Sequence, residues 1–413
     1  MNVLILSAST GGGHMTAAKA LKSYIKDKDK TSKVEVIDTL EYISPLLNRT
    51  ISDSYSYMIK KSPKVFAAIY HASNKENKFS DLIVLLNNFF SKKLLSLIDE
   101  FKPDVIVATH MFPNEMVSYL KEKKKISLPL VCVMTDYAPH KTWISKNVDA
   151  YITANDDMKE DMIKLGVKKE KIYPFGIPVD EAFHVQKNKS EILNSLNLKS
   201  DVPTILVMAG SFGVSNILSI YENLLDIEKD FQIIVITGKN KKLYDAFDRK
   251  INPQNYKISS KISLEKFEKI DKLKNSIKVH SETLEKIKKL THKEKKSKPT
   301  RLIFFTNEVY NYMKAADLII TKPGGLTVSE ALASNLPLAI FNAIPGQEEE
   351  NANFLVKNNM AIKIGNGKKC KEVIEKIISD NENLSSMKNS CIKFDKSKSN
   401  ENIYELMKTL LKN

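Results

Sequence analysis

Cysteine, tryptophan and long apolar runs are the scarce features of this sequence. There are three cysteines in 413 residues, and Cys132, Cys370 and Cys391 lie too far apart for the paired spacing of a metal site. Cys132 sits inside an apolar run and reads as a core thiol. Sparse, unpaired cysteines fit a reducing compartment. No run of about 18 or more apolar residues occurs, so no membrane-spanning helix is expected. The short N-terminal run Val3-Leu4-Ile5-Leu6 reads as a buried strand and not as a signal peptide. Acidic residues are in deficit: Lys+Arg number 64 and Asp+Glu 49, for a net charge of +15. Such a balance invites nucleic acid, an anionic membrane or a phosphorylated substrate. Residues 239–301 hold 20 of the basic and 8 of the acidic residues, so most of the excess is local. That segment has few aromatics and no recognised nucleic-acid signature, so nucleic acid is not expected as a partner.

The chain is long enough for two domains, and hydrophobic residues make up 42% of it. Val- and Ile-rich runs without polar alternation predict parallel strands at 2–7, 34–38, 104–109, 130–135, 149–153 and 171–175. Helical patterns follow at 14–25, 91–101, 114–122 and 155–165. A charged stretch at 176–203, bounded by Pro178 and Pro203, reads as a linker. A second alternation follows: strands 204–208, 231–237, 302–305, 317–321 and 337–341, with helices 215–227, 307–315 and 325–334. The expected fold class is α/β, with two doubly wound halves whose strand ends face a cleft. The halves are expected at 1–185 and 200–375, with 376–413 as C-terminal helices packing back on the first half. Two segments break the rhythm. Residues 45–100 interleave aromatics such as Tyr55, Phe66 and Phe89 with Lys60, Lys78 and Lys92, which suits either a helical core or an amphipathic surface. The Lys-rich 239–301 suits either a solvated helical excursion or a polyanion contact.

Five stretches carry the chemistry. Gly11-Gly12-Gly13-His14 joins the first strand to the first helix, where close backbone approach and free N–H groups suit an anion. Gly210-Ser211-Phe212-Gly213 holds the matching position in the second half and suits a diphosphate or a plain tight turn. Pro323-Gly324-Gly325-Leu326-Thr327 opens a helix with bare N–H groups, and Glu330 lies about a turn and a half into it. A carboxylate there suits ribose hydroxyls. Pro345-Gly346-Gln347-Glu348-Glu349-Glu350-Asn351 offers amides and carboxylates for sugar hydroxyls, or an acidic solvated helix start. Asp136, in Thr135-Asp136-Tyr137-Ala138-Pro139-His140 with Trp143 following, ends a buried strand as a working carboxylate or a loop cap.

In this order and spacing, Gly11-Gly12-Gly13-His14, Thr135-Asp136-Tyr137 with His140 and Trp143, Lys322 to Glu330, and Pro345-Gly346-Gln347-Glu348 followed by Asn351 resemble the diacylglycerol glycosyltransferases. That family includes the processive bacterial glucosyltransferases and the plant monogalactosyldiacylglycerol synthases, in glycosyltransferase family 28. The resemblance covers nearly the whole chain outside 239–301. It implies a glycosyltransferase B fold, an inverting mechanism, a UDP-hexose donor as substrate, and neither cofactor nor metal. It gives the acceptor, diacylglycerol, to the first half, with Gly12, Gly13, Tyr137, His140 and Trp143 on that side. It gives the donor to the second half: Glu330 on the ribose, Ser211 and the Gly324-Gly325 turn on the diphosphate, Gln347, Glu348 and Asn351 on the hexose, and Gly210, Pro323 and Thr327 among the donor-binding residues. The family's Gly-Phe-Thr uracil stretch reads Phe304-Phe305-Thr306 here, which leaves Phe305 as a base contact through its backbone. The insertion at 45–100 corresponds to the family's membrane-facing one, so a peripheral enzyme on the cytoplasmic side of an anionic membrane is expected.

The implied reaction is direct displacement at the anomeric carbon, with His14 or Asp136 taking the acceptor proton. Whether the sugar is glucose or galactose stays open, with glucose favoured, and transfer of several sugars in succession stays open too. Rival readings are transfer to a polyprenyl-linked or peptidoglycan precursor, and epimerisation of a UDP-sugar at C2 without an acceptor.

Overall fold

The computed structural model describes the chain apart from residues 10–11, 47, 51–52, 55–56, 58–89, 91, 209–216, 257–296, 342, 366–367 and 413. The first half runs β1 (Asn2–Ser7), α1 (Gly13–Lys28), β2 (Lys33–Asp38), α2 (Thr39–Ile43), β3 (Val105–Ala108), α3 (Met111–Glu122), β4 (Leu130–Val133), β5 (Ala150–Ile152), α4 (Asp157–Lys164) and β6 (Ile172–Tyr173). Its sheet is parallel, in the order β2-β1-β3-β4-β5-β6. The second half runs α5 (Lys189–Ser195), β7 (Thr204–Met208), α6 (Ile217–Leu225), β8 (Gln232–Ile236), α7 (Lys241–Ile251), β9 (Thr300–Ile303), α8 (Val309–Ala315), β10 (Leu318–Thr321), α9 (Gly325–Ala333), β11 (Leu338–Ile340), α10 (Gln347–Lys357) and β12 (Ala361–Lys363). Its sheet, also parallel, has the order β12-β11-β10-β7-β8-β9. Helices α11 (Lys368–Ser379), α12 (Asn381–Lys393) and α13 (Ser399–Leu410) follow.

The strands are continuous apolar runs because both faces are covered. Val3 to Leu6, Val105 to Ala108 and Leu130 to Val133 are all fully buried. The strand order reverses between β1 and β3 in the first sheet and between β7 and β10 in the second. Crevices open at the carboxyl ends of those strand pairs. One apolar core spans both halves, joining Leu6, Trp143 and Tyr151 to Leu206, Ile319 and Leu355.

The chain returns to the first half at its C-terminal end. Ile403, Tyr404 and Met407 of α13 pack with Val3, Ile5 and Leu21. Ser399 Oγ donates to the Gly176 carbonyl at 2.8 Å, and Asn400 Nδ2 donates to that of Val179 at 2.8 Å.

Three readings of the sequence change. The Lys-rich excursion expected at 239–301 is narrower at both ends. Helix α7 is the ordinary crossover between β8 and β9, burying Leu243 and Phe247, and β9 begins at Thr300. The strand expected at 302–305 ends at Ile303, and Phe304 and Phe305 leave it with exposed rings. Strand β12 was not read at all; with three residues it has too little pattern to be seen. The aromatic and basic stretch 45–100 lies mostly outside the described residues, as does 257–296. Of its described part, Leu46 and Tyr57 are exposed, while Leu94, Leu97 and Ile98 enter the core. Among the described residues no helix is long and apolar enough to cross a membrane.

Candidate active site

At the first crevice, Gly12 takes a φ of 77° as the N-cap of α1, a left-handed conformation that glycine adopts without strain. This turn sets His14 against the end of β3. Its Nδ1 lies 3.0 Å from the Thr109 carbonyl, which can only accept, so Nδ1 carries the proton. Thr135 Oγ1 is 2.7 Å from the same nitrogen. The lone pair is therefore on Nε2, which has no hydrogen bond among the described residues. Burial pushes the His14 pKa down to about 4, partly offset by the Thr109 bond, so the ring is neutral near pH 7.

Trp143 and His110 complete this wall. The His14 ring centroid lies 4.6 Å from that of His110, nearly perpendicular, and 6.0 Å from that of Trp143. Trp143 is held on a 3-10 turn, Lys141–Trp143, capped by His140, whose Nδ1 accepts from the Thr142 amide. His140 and Trp143 are both buried.

Asp136 stands at the end of β4, where the two halves meet. Gln347 Nε2 at the start of α10 donates to its carboxylate. Burial raises its pKa to about 6, opposed by the Gln347 and Asn351 hydrogen bonds and supported by the Glu348 charge. It is thus a stronger base than an ordinary carboxylate and still ionised at neutral pH. Next to it, Tyr137 turns to the second half. Its amide donates to Asn351 Oδ1 at 2.8 Å, and its hydroxyl lies 2.9 Å from Ser329 Oγ. Asn351 Nδ2 in turn donates to the Pro323 carbonyl at 3.0 Å. Tyr137 and Ser329 also line a cavity of about 240 Å3 at the hinge, with Ile177 and Phe394.

At the second crevice, α9 begins at Gly325 with no side-chain cap, so the N–H groups of its first turn are left for a ligand. A Cβ on Gly325 would lie 1.9 Å from the Thr135 carbonyl, so only glycine lets the two halves approach this closely. Gly13 faces Leu326 in the same contact. Pro323 is buried, while Thr327 and Glu330 are half-buried on α9. The Glu330 carboxyl has no hydrogen-bond partner among the described residues, and burial raises it to about 8, with the Asp180 charge adding to the shift. Glu348 accepts from the Ile344 amide at 2.8 Å within its own loop, and burial raises its pKa. The exposed Phe305 ring carries the Lys239 ammonium 4.9 Å from its centroid. Gly210 and Ser211 lie outside the described residues.

The fold therefore brings together His14, Asp136, Tyr137 and Trp143 of the first half with Pro323, Gly324, Gly325, Gln347 and Asn351 of the second. It also adds residues that the sequence reading passed over. His110 caps α3 by accepting the Phe112 amide at 3.2 Å. Ser329 bridges to Tyr137, and Asn155 Nδ2 donates to the Tyr137 carbonyl at 3.1 Å. The signal for His110 was present: like Asp136, it is a polar residue just past a buried strand.

Two parallel sheets of this order, with an uncapped helix meeting a carboxylate where the halves touch, define the two-domain glycosyltransferase B fold. The solved structures agree on the fold alone. MurG of Acinetobacter baumannii superposes with a TM-score of 0.56 at 13% identity, over 99% of each chain. The UDP-GlcNAc 2-epimerase of Neisseria meningitidis does so with a TM-score of 0.56 at 13% identity, over 100% of each. The sequence is more specific. Residues 14–179 match the monogalactosyldiacylglycerol (MGDG) synthase model, and residues 188–394 match that of glycosyl transferases group 1. A processive diacylglycerol beta-glucosyltransferase of Bacillus pumilus is 28% identical over 390 residues, covering 94% of this chain and 89% of the relative. The chain belongs to the glycosyltransferase family of the monogalactosyldiacylglycerol synthases and diacylglycerol glucosyltransferases.

Proposed function

We propose that the protein transfers a hexose, glucose in preference, from a UDP-sugar to the hydroxyl of diacylglycerol with inversion at the anomeric carbon. The observation that carries this reading is the meeting of Asp136 with the α9 and α10 N-termini across the cleft. It puts a base of raised pKa beside groups suited to a sugar diphosphate. In this reading the hydroxyl's single O–H first points to His14 Nε2, which orients it, and that proton passes to Asp136 as the new bond forms. The hydroxyl oxygen bonds to the anomeric carbon as the bond to UDP breaks. Negative charge on the leaving diphosphate is met by the α9 N–H groups and by the loop at Gly210 and Ser211. The reaction as proposed needs no cofactor or metal. Glu330 holds the ribose hydroxyls, and Phe305 meets the base. On donor binding, Gln347 and Asn351 exchange part of their contacts with the first half for hexose hydroxyls, and Glu348 joins them. Gly12, Gly13, Tyr137, His140 and Trp143 shape the acceptor side.

Diacylglycerol stays in the bilayer, so the enzyme acts at the surface of an anionic membrane, peripherally and on the cytoplasmic side. The net charge of +15 and the name of the Bacillus pumilus relative both support this. The test is label transfer from UDP-glucose or UDP-galactose to diacylglycerol in anionic vesicles. Labelled lipid, one or several sugars long, is the expected result. Label that enters only a polyprenyl-linked acceptor, or a donor epimerised without acceptor, overturns the assignment.

A further inference from the structure

His110 is nowhere in the reading so far, yet the topology sets it beside His14. The two histidines follow β1 and β3, the strands that flank the reversal point of the first sheet. The dipeptide Thr109-His110 acts on His14 twice. Its threonine carbonyl takes the Nδ1 proton at 3.0 Å, and its imidazole stands nearly perpendicular to the His14 ring, 4.6 Å between centroids.

His110 is itself fixed. Its Nδ1 accepts the Phe112 amide, so its own proton sits on Nε2, and its ring stacks on Phe112 at 5.2 Å. The residue is 3% exposed. Protonating Nδ1 would break the cap of α3, so His110 stays neutral.

We propose that His110 is a positioning residue for the transfer reaction: its immobile ring seals one side of His14 from water and holds the imidazole against the Thr109 carbonyl, so that the bare Nε2 meets the acceptor hydroxyl. The inference rests on the role given to His14 above. The other titratable groups on the surrounding elements include Asp38 at the end of β2, Glu115 on α3, Asp136 and His140 after β4, Lys322 before α9, Glu330 on α9 and Glu348 on α10. Burial raises Glu115 and Glu348, and takes Asp136 to about 6. Glu330 lies above it, at about 8.

The test is the pH dependence of kcat in four forms: wild type, His110→Asn, His110→Phe and His14→Ala. Wild type is expected to lose activity below about pH 6 with the slope of one proton, from Asp136. Asparagine keeps the helix cap but removes the ring and admits water. His14 then returns toward its ordinary value of about 6.5, so kcat falls an additional fourfold or so at pH 6, but not at pH 8. The acid limb steepens to two protons, while KM for the donor stays fixed. Phenylalanine keeps a ring against His14, so that variant retains the one-proton limb whatever its overall rate. Thermal melts check that each variant folds. A one-proton limb in His110→Asn, or equal losses at every pH in both His110 variants, overturns the inference while leaving the proposed function standing. Full activity in His14→Ala removes the role of His14 itself, and the inference with it.

Discussion

The two crevices have the same architecture and opposite chemistry. Each lies where the order of a six-stranded parallel sheet reverses, and each is walled by loops that run from strand to helix. The first is lined by neutral, immobilised rings, His14, His110 and Trp143, with the Asp136 carboxylate at its edge. The second offers an uncapped helix N-terminus and carboxyls at Glu330 and Glu348. The fold supplies the crevice in both cases, and the side chains decide whether it suits a hydroxyl on an apolar molecule or a charged nucleotide.

The largest effect should come from removing the one base in the first crevice. Asp136→Asn keeps the shape and can still bond Gln347, so kcat should drop about 10³-fold while KM for the donor changes little, as steady-state kinetics would show. Next comes the contact between the crevices. In Gly325→Ala the new methyl collides with the Thr135 carbonyl and forces the halves apart, and kcat/KM should fall about 100-fold.

In the second crevice, Glu330→Gln should raise the donor KM about tenfold, the loss of one hydrogen bond from the carboxyl to the ribose hydroxyls. It should also act on stability in the absence of substrate. The Glu330 carboxyl, ordinarily at 4.5, is raised to about 8, so its contribution to stability is complete below about pH 4.5 and is lost as pH rises through about 8. Glutamine does not ionise, so melting curves should show the variant more stable than wild type at pH 8.5 and equal to it at pH 4.5. The smallest effect is expected for Tyr137→Phe. Ser329 keeps its 2.8 Å bond to the Gly325 carbonyl, so denaturant unfolding should show a loss of only about 1 kcal/mol.

Much of this comparison was legible beforehand. Eleven strands could be read because a strand covered on both faces is an apolar run, whatever its partner. The loops at Gly12-Gly13-His14 and Pro323-Gly324-Gly325 were legible because glycines after a strand and before a helix have few other uses. Tyr137 was harder: its position was clear, but its hydroxyl turns to Ser329, 192 residues later in the chain. Gln347 and Asn351 likewise read as sugar ligands, and nothing local shows that they also hold Asp136 and Tyr137. His110 was passed over because a lone histidine after a strand gains meaning only when β3 pairs with β1.

The sequence alone determined the alternation of strands and helices, the two halves and the loops that face a cleft, because these follow from periodicity and from backbone chemistry over a few residues. Only the tertiary structure decided which nitrogen of His14 keeps its lone pair, how far the pKa values of Asp136 and Glu330 rise, and which side chains bridge the halves. Those properties depend on burial and on hydrogen-bond partners that strand order brings together from distant parts of the chain.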